Sequence, residues 1–260
     1  MQTRIVVMGA AGRMGTMISR QVREDSALVL AGRVETASRL GELASLEGCV
    51  DGGDIDTVLS QVKDAVIVDF TAPALSLATA RAAVKHGARH VIGTTGLTRE
   101  ELDELEDLAK KTPIFWSPNM SVGVSVLAKI LPELARLLGE GYDMEMVEIH
   151  HNKKKDSPSG TAIRLAEGMA SARDWRLDDV ACYHREGIVG ERPHKEIGMQ
   201  AVRGGDVVGI HTAYFLGQGE RIEVTHHAHS RENFAQGALR AAKWLAHQEA
   251  KKLYLMDDIF

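Results

Sequence analysis

The sequence predicts an α/β protein: a doubly wound parallel sheet, followed by a second α+β domain with an open, mostly antiparallel or mixed sheet. Three observations carry that reading. Short β-branched runs alternate with helical patterns from residue 4 to about residue 120. A glycine-rich segment, GAAGRMG, lies between the first strand-like run and the first helical pattern. After about residue 121 the alternation stops, and a long helical stretch leads into runs of strand character separated by glycine-rich turns. Strands that alternate with helices imply a parallel sheet covered on both faces.

Each element has its own justification. Ile5-Val6-Val7-Met8 is a continuous apolar run of the buried-strand type. Arg13 to Glu24 places Met14, Met17, Ile18 and Val22 on one helical face. Leu28 to Val34 and Ala65 to Phe70 are the second and third strands, and Leu75 to His86 is an alanine-rich helix with Gly87 placed to cap it. His90 to Gly93 is the fourth strand, Glu100 to Lys111 a charged helix, and Ile114 to Trp116 a fifth strand that ends before Pro118. Val122 to Leu138 reads as a long helix, Met144 to His151 as a strand, and Ser159 to Arg173 as a helix. Residues 197–202, 209–215 and 220–227 read as antiparallel strands, turned by Gly204-Gly205-Asp206 and Gly217-Gln218-Gly219. A last amphipathic helix, Asn233 to Lys251, is expected to pack back on the first domain.

Composition removes several classes. Of the 260 residues 31 are basic and 36 acidic, a net charge of −5, which argues against a dedicated nucleic-acid binder. Cys49 and Cys182 are far apart, without CxxC spacing, so the expectation is no disulfide framework and a cytoplasmic, reducing setting. The N-terminal apolar run is too short for a signal peptide, and no stretch of about 18 apolar residues exists to span a membrane.

Gly9, Gly12 and Gly15 form a GxxGxxG variant of the dinucleotide fingerprint. One glycine permits the tight turn, one a close approach to a pyrophosphate, and one close packing of helix on strand. The helix start would then offer N–H groups to the anion. The position after a first strand is the right context for a Rossmann-like fold. Glu35 lies 20 residues beyond Gly15 at the end of the second strand. It is either the acid that hydrogen-bonds an adenosine ribose or a solvated surface acid. Thr36 supplies no cation for a 2′-phosphate, although Arg33 and Arg39 are near. Asp69-Phe70-Thr71 and Gly93-Thr94-Thr95-Gly96 close two further strands, either lining a nicotinamide pocket or serving as ordinary turns.

Residues 148–162, EIHHNKKKDSPSGTA, concentrate charge beside a turn. A metal fits poorly: His150 and His151 are sequence neighbours and would point to opposite faces of a strand, and no HExxH or Cys/His spacing accompanies them. The histidines at 226, 227 and 229 lack carboxylate support, so no metal site is expected. No aromatic platform is interleaved for nucleic acid. A small anionic substrate fits better, because a Ser-Gly-Thr helix start offers donors and the lysines offer charge. A solvated loop with an ordinary helix cap is the competing reading.

GAAGRMG at 9–15, VDFTAP at 68–73, VIGTTG at 91–96, SPNMSVGV at 117–124 and the 148–162 segment occur in the order and spacing of one family. From residue 4 to the C-terminus the chain resembles the 4-hydroxy-tetrahydrodipicolinate (dihydrodipicolinate) reductase family of the diaminopimelate route to lysine. The resemblance implies NAD(P)H-dependent reduction of 4-hydroxy-tetrahydrodipicolinate to tetrahydrodipicolinate, a small dicarboxylate. It also implies a homotetramer in which the substrate domains join their sheets.

It further implies that Gly9, Ala10, Ala11, Gly12, Arg13 and Met14 hold the pyrophosphate and Glu35 the ribose. Phe70, Thr71, Gly93, Thr94, Thr95, Ser117, Pro118, Asn119 and Met120 line the cofactor pocket. The HHxxK pattern puts the catalytic groups on His150 and Lys154, with His151, Ser159, Gly160 and Thr161 on the dicarboxylate. Residues 1–121, completed by 232–260, form the dinucleotide-binding domain and 122–231 the substrate-binding and oligomerisation domain. Thr36 stands where many members carry an arginine, which favours NADH over NADPH.

Two rival classes make their own demands. A short-chain dehydrogenase needs Tyr-x-x-x-Lys, and Tyr142, Tyr183, Tyr214 and Tyr254 all lack the lysine. A nucleotide sensor would keep the glycine loop without the histidine–lysine cluster.

Overall fold

In the computed structural model, which describes residues 2–260, strand β1 (Thr3–Met8) lies at the centre of a parallel sheet. From it the chain runs through α1 (Arg13–Glu24), β2 (Leu28–Val34), β3 (Val50–Gly52), α2 (Ile55–Gln61), β4 (Ala65–Asp69), α3 (Pro73–His86), β5 (Arg89–Ile92), α4 (Arg99–Ala109) and β6 (Ile114–Trp116). It returns to the same sheet late, as α8 (Glu232–Leu245) and β12 (Leu253–Tyr254). The strand order is β12-β6-β5-β4-β1-β2-β3, and every pair is parallel. This is the doubly wound arrangement, with its switch of direction at β1, between β4 and β2.

Parallel strands must be apolar on both faces, and β1 shows why. Ile5 and Val7 pack with residues of α1 and α8, while Val6 and Met8 pack with α2 and α3. The helices are stopped by local chemistry. Asp54 caps α2, Pro73 opens α3, Gly87 closes α3 at φ 65°, and Thr98 with Glu101 forms a capping box on α4.

Between β6 and α8 the chain builds a separate unit, Val122–Arg231; the other unit runs up to Ser121 and resumes over Glu232–Phe260. The inserted unit holds α5 (Val122–Leu138), β7 (Asp143–His150), α6 (Gly160–Ser171), α7 (Leu177–Val180), β8 (Ala181–Cys182), β9 (Ile197–Arg203), β10 (Gly209–Leu216) and β11 (Arg221–Ala228). Its five strands are ordered β11-β10-β7-β9-β8. Met144, Met146, Ile197, Met199, Ala213 and Phe215 pack on one face with residues of α5 and α6. Gly168 of α6 allows close approach to Pro132 of α5.

The sheet is mixed. β10 runs antiparallel to β7 and β11, but β9 runs parallel to β7. The expectation that residues 197–202 form an antiparallel strand is therefore corrected. The chain reaches β9 from β7 by a helical crossover through α6, and a crossover returns it to the same end of the sheet. The expected final helix over 233–251 is also shorter. It stops at Leu245, and Tyr254 instead buries its ring against Trp244 in an edge-to-face contact at 5.1 Å while β12 extends the β6 edge. The short strand β3 and helix α2 had no counterpart in the sequence reading.

Candidate functional site

The five loops singled out in the first unit all follow the carboxyl ends of adjacent strands: β1, β2, β4, β5 and β6. They are cross-linked. Gly9 turns at φ 61°, and a Cβ on Gly15 would overlap the Gly9 carbonyl, so Gly15 lets α1 start against the turn. The N-cap of α1 is Gly12 and makes no side-chain cap, which leaves the first-turn N–H groups of Arg13 and Met14 without a side-chain acceptor from the cap residue. Glu35 is buried; its carboxylate accepts from the Ala11 N–H (2.9 Å) and the Thr36 N–H (2.8 Å). Arg39 reaches back to the Ala11 carbonyl (3.0 Å) and lies 3.9 Å from Glu35, while Glu42 grips it through two bonds. Arg33 is held away from the surface by two hydrogen bonds that it donates to the Asp51 carboxylate.

On the other side of the switch point the loops share one network. Asp69 accepts from the Thr71 N–H and hydroxyl, and the Thr94 hydroxyl accepts from the Thr71 N–H and from Ser76. Behind it, His90 and Asp69, both fully buried, face each other at 3.3 Å. Burial opposes the Asp69 charge, but His90, Thr71 and Ser76 outweigh it and hold the carboxyl below its usual range. The Phe70 ring covers Gly93, where a Cβ would collide with it. Thr95 and Pro118 are exposed. Ser117 and Met120 are almost fully buried. Gly237 of α8 packs so closely on the Met120 carbonyl that a Cβ there would overlap it.

In the second unit, β7 ends on the charged cluster. Met144, Met146, Glu148 and His150 alternate onto the covered face, and His151 follows at the strand end, half-buried. His150 Nδ1 lies 2.6 Å from Glu148 Oε2. Arg203, opposite His150 on β9, binds both Glu148 oxygens at 2.7 Å, and the Ser159 N–H donates to Oε1 at 3.0 Å. Burial works against the Glu148 charge, yet Arg203, His150 and Ser159 together hold its carboxyl below the usual range. Burial pulls the His150 pKa down more strongly than Glu148 raises it, and the Lys154 and Arg203 charges add to the fall.

The three lysines are not equivalent. Lys153 and Lys155 are exposed, whereas the Lys154 side chain is 19% exposed and its Nζ lies 2.8 Å from Asp156, whose carboxyl it holds below the usual range. Ser159 caps α6 by accepting the Ala162 N–H (3.1 Å) and is only 2% exposed. Gly160 and Thr161 form the first turn of α6; Gly160 is exposed, and a Cβ there would meet open space. The expectation of a Ser159 contact to a dicarboxylate is thereby narrowed, since its N–H is already given to Glu148. Its hydroxyl pairs at 3.0 Å with Nε2 of His211, a buried residue on β10 whose ring meets the His150 ring edge-to-face at 5.1 Å.

Glu148, Arg203 and His211 were absent from the sequence reading of the site. Only Glu148 had a signal, its place two residues before His150 on a strand. Among the described residues no group of three or more His, Cys, Asp or Glu side chains is placed to hold a metal ion, and no helix is long and apolar enough to cross a membrane.

His211 gives the cluster a pH signature. Burial first, then the neighbouring His150 charge, lower its pKa from 6.5 to about 4. The unfolded chain therefore takes up this proton first as pH falls. The stability due to neutral His211 is fully present above about 6.5 and is lost on the way down to about 4, an effect of roughly 3 kcal/mol. Urea unfolding between pH 7 and pH 4 should show a steeper acid loss in the wild type than in His211→Gln; equal slopes would exclude this source.

Comparison with known proteins agrees over the whole chain. Residues 3–120 match the family model described as dihydrodipicolinate reductase, N-terminus, and residues 123–260 the one described as dihydrodipicolinate reductase, C-terminus. The chain is 65% identical over 260 residues to the 4-hydroxy-tetrahydrodipicolinate reductase of Nitratidesulfovibrio vulgaris strain Hildenborough, covering 100% of both. It is 53% identical over 259 residues to that of Lawsonia intracellularis, again covering 100% of both chains. Among solved structures, the dipicolinate-bound dihydrodipicolinate reductase from Paenisporosarcina sp. TG-14 superposes with a TM-score of 0.79 at 22% identity, with 100% coverage of each chain. On this agreement of both halves and of full-length relatives, the chain belongs to the dihydrodipicolinate reductase family.

Proposed function

We propose that the protein reduces 4-hydroxy-tetrahydrodipicolinate to tetrahydrodipicolinate with a reduced nicotinamide nucleotide, as a cytoplasmic enzyme of the diaminopimelate route to lysine. The observation that carries the reading is the grouping of His150, the one half-buried lysine of three, and an exposed glycine at a helix start. A cyclic dicarboxylate needs donors for its carboxylates and a proton for the ring position that hydride does not reach. Gly160 and Thr161 supply the donors at the start of α6, with His151 on the flank, while Ser159 fixes that helix start from beneath through its bonds to Ala162 and His211. Lys154 is the proton donor. His150 stabilises charge on the ring or relays the proton, because its lowered pKa keeps it neutral and ready to accept.

The first unit fits a nicotinamide nucleotide. Gly9, Ala10, Ala11, Gly12, Arg13 and Met14 hold the pyrophosphate, Glu35 the ribose, and Phe70, Thr71, Gly93 to Thr95 and the Ser117–Met120 backbone the remainder. The uncapped start of α1 supports the first assignment and the ordered Thr71–Thr94 network the last. When bound, the cofactor supplies the hydride. The chain's part is to orient, to hold charge and to deliver the proton. Lys154→Ala should cut kcat by about 10²–10⁴-fold with nucleotide affinity intact, while Lys153→Ala stays near wild type. Turnover measured as loss of NADH absorbance decides, and equal losses in the two variants would overturn the assignment.

NADH is the better-fitting nucleotide. Thr36 offers no cation, Arg33 is committed to Asp51, and Arg39 is already flanked by the carboxylates of Glu35 and Glu42. A 2′-phosphate would meet two negative groups around one neutralised guanidinium. The kcat/KM for NADH should exceed that for NADPH, and Glu42→Gln should narrow the gap several-fold by freeing Arg39. A wild-type preference for NADPH would refute this.

Self-association as a homotetramer is supported by the uncovered face of the five-stranded sheet. Val147 and Ile149 of β7, Ile210, Tyr214 and Leu216 of β10 and Val202 of β9 alternate away from α5 and α6 and remain half-buried or exposed. Sedimentation should give four chains for the wild type and a smaller species for Ile149→Lys; a wild-type monomer would exclude the proposal.

A further inference from the structure

We infer that Glu148 is the positioning residue for His150: it dictates which ring nitrogen carries a proton, and Arg203 keeps it ionised to do so. The inference rests on the proposed catalytic role of His150. The two side chains leave the same face of β7, two residues apart. An ionised carboxylate only accepts, so the 2.6 Å contact requires a proton on Nδ1 of His150. The neutral ring then carries its lone pair on Nε2. That nitrogen looks past Gly209 of β10, where a Cβ would come within 3.0 Å of it. The glycine keeps Nε2 uncovered on that side.

Glu148 is saturated. Oε2 accepts from His150 Nδ1 and Arg203 Nη1, and Oε1 from Arg203 Nη2 and the Ser159 N–H. A carboxylate has about four lone-pair sites, and all are used. Glu148 is therefore no base of its own. It is a fixed bracket that joins the His150 ring to the capped start of α6. Arg203 also donates to the Asp156 carbonyl at 2.9 Å, which ties the same bracket to the loop carrying Lys154. The charged and titratable groups that face His150 are Glu148 on its own strand, Arg203 on β9, His211 on β10 and Lys154 in the loop.

A buried Glu–Arg pair could serve stability alone, so the test reads the ring itself. Nitrogen-15 NMR of the imidazoles at pH 8, with His150 assigned by loss of its signals in His150→Gln, should give an Nδ1–H ring in the wild type. Glu148→Gln can donate as well as accept, and should give a mixture of tautomers. It should also lower kcat about 10- to 100-fold with the KM for nucleotide unchanged. The His150 limb of the kcat/KM profile should move to lower pH, because an anion that favours the imidazolium is gone. Glu148→Asp, which keeps the charge, should return the limb toward its wild-type position. An Nε2–H ring in the wild type, or an unmoved limb with a single tautomer in Glu148→Gln, overturns the inference. If Glu148→Gln does not fold, the wild-type tautomer decides alone. Full turnover in His150→Gln would defeat the catalytic reading of His150, while the tautomer would still report on Glu148.

Discussion

The Glu148 carboxylate is the constraint on which the second unit depends. It is 1% exposed, and a charge so deeply placed survives only if its partners are fixed. Its three partners, holding it through four bonds, come from β7, β9 and the start of α6, so satisfying one charge joins two neighbouring strands and a helix end. The consequence for chemistry is indirect but strong. Side chains that could have been mobile at a strand end are instead set by a network with no spare bond. Losing Arg203, the cation among them, would leave an uncompensated buried charge, a cost of about 3–5 kcal/mol.

The first unit solves a different problem. Its loops lie at the carboxyl ends of five parallel strands; the one after β2 is ordered by Glu35, Arg39 and Glu42, and those after β4 and β5 by backbone and hydroxyl bonds around Asp69. The Asp69–His90 pair does there what Glu148 does in the second unit, with one difference. Asp69 sits behind the Thr71–Thr94 network, so it shapes the loops from beneath the surface they present. Both units thus use a buried ionic group to order groups that face outward.

Much of the fold was legible in the sequence because its signals are local. The β-branched runs, the glycines at 9, 12 and 15 and the Gly87 stop specify elements within a few residues, and α5 matches its expected range residue for residue. What escaped was non-local or too short. The parallel direction of β9 depends on where a crossover lands, and the last strand exists because Tyr254 finds Trp244. The candidate site divides in the same way. His150 and Lys154 stand in one compact motif. Arg203 and His211 lie 53 and 61 residues beyond His150 and join the cluster only through strand register. No spacing rule in the chain announces them. The distinction between Lys154 and its two neighbours likewise appears only in their exposure.

The interrupted path of the chain has a consequence for the order of assembly during synthesis. The first unit is left incomplete at Ser121 and resumes only at Glu232. Ala235, Ala238, Leu239, Ala241, Ala242 and Leu245 of α8 belong to the same core cluster as Ile5, Val7, Val66 and Phe115. A nascent chain emerging from the ribosome can finish the inserted unit while the first unit still exposes that apolar face. Residues of β1 and β4 therefore wait for α8, made only after the whole inserted unit, before their shared core can close.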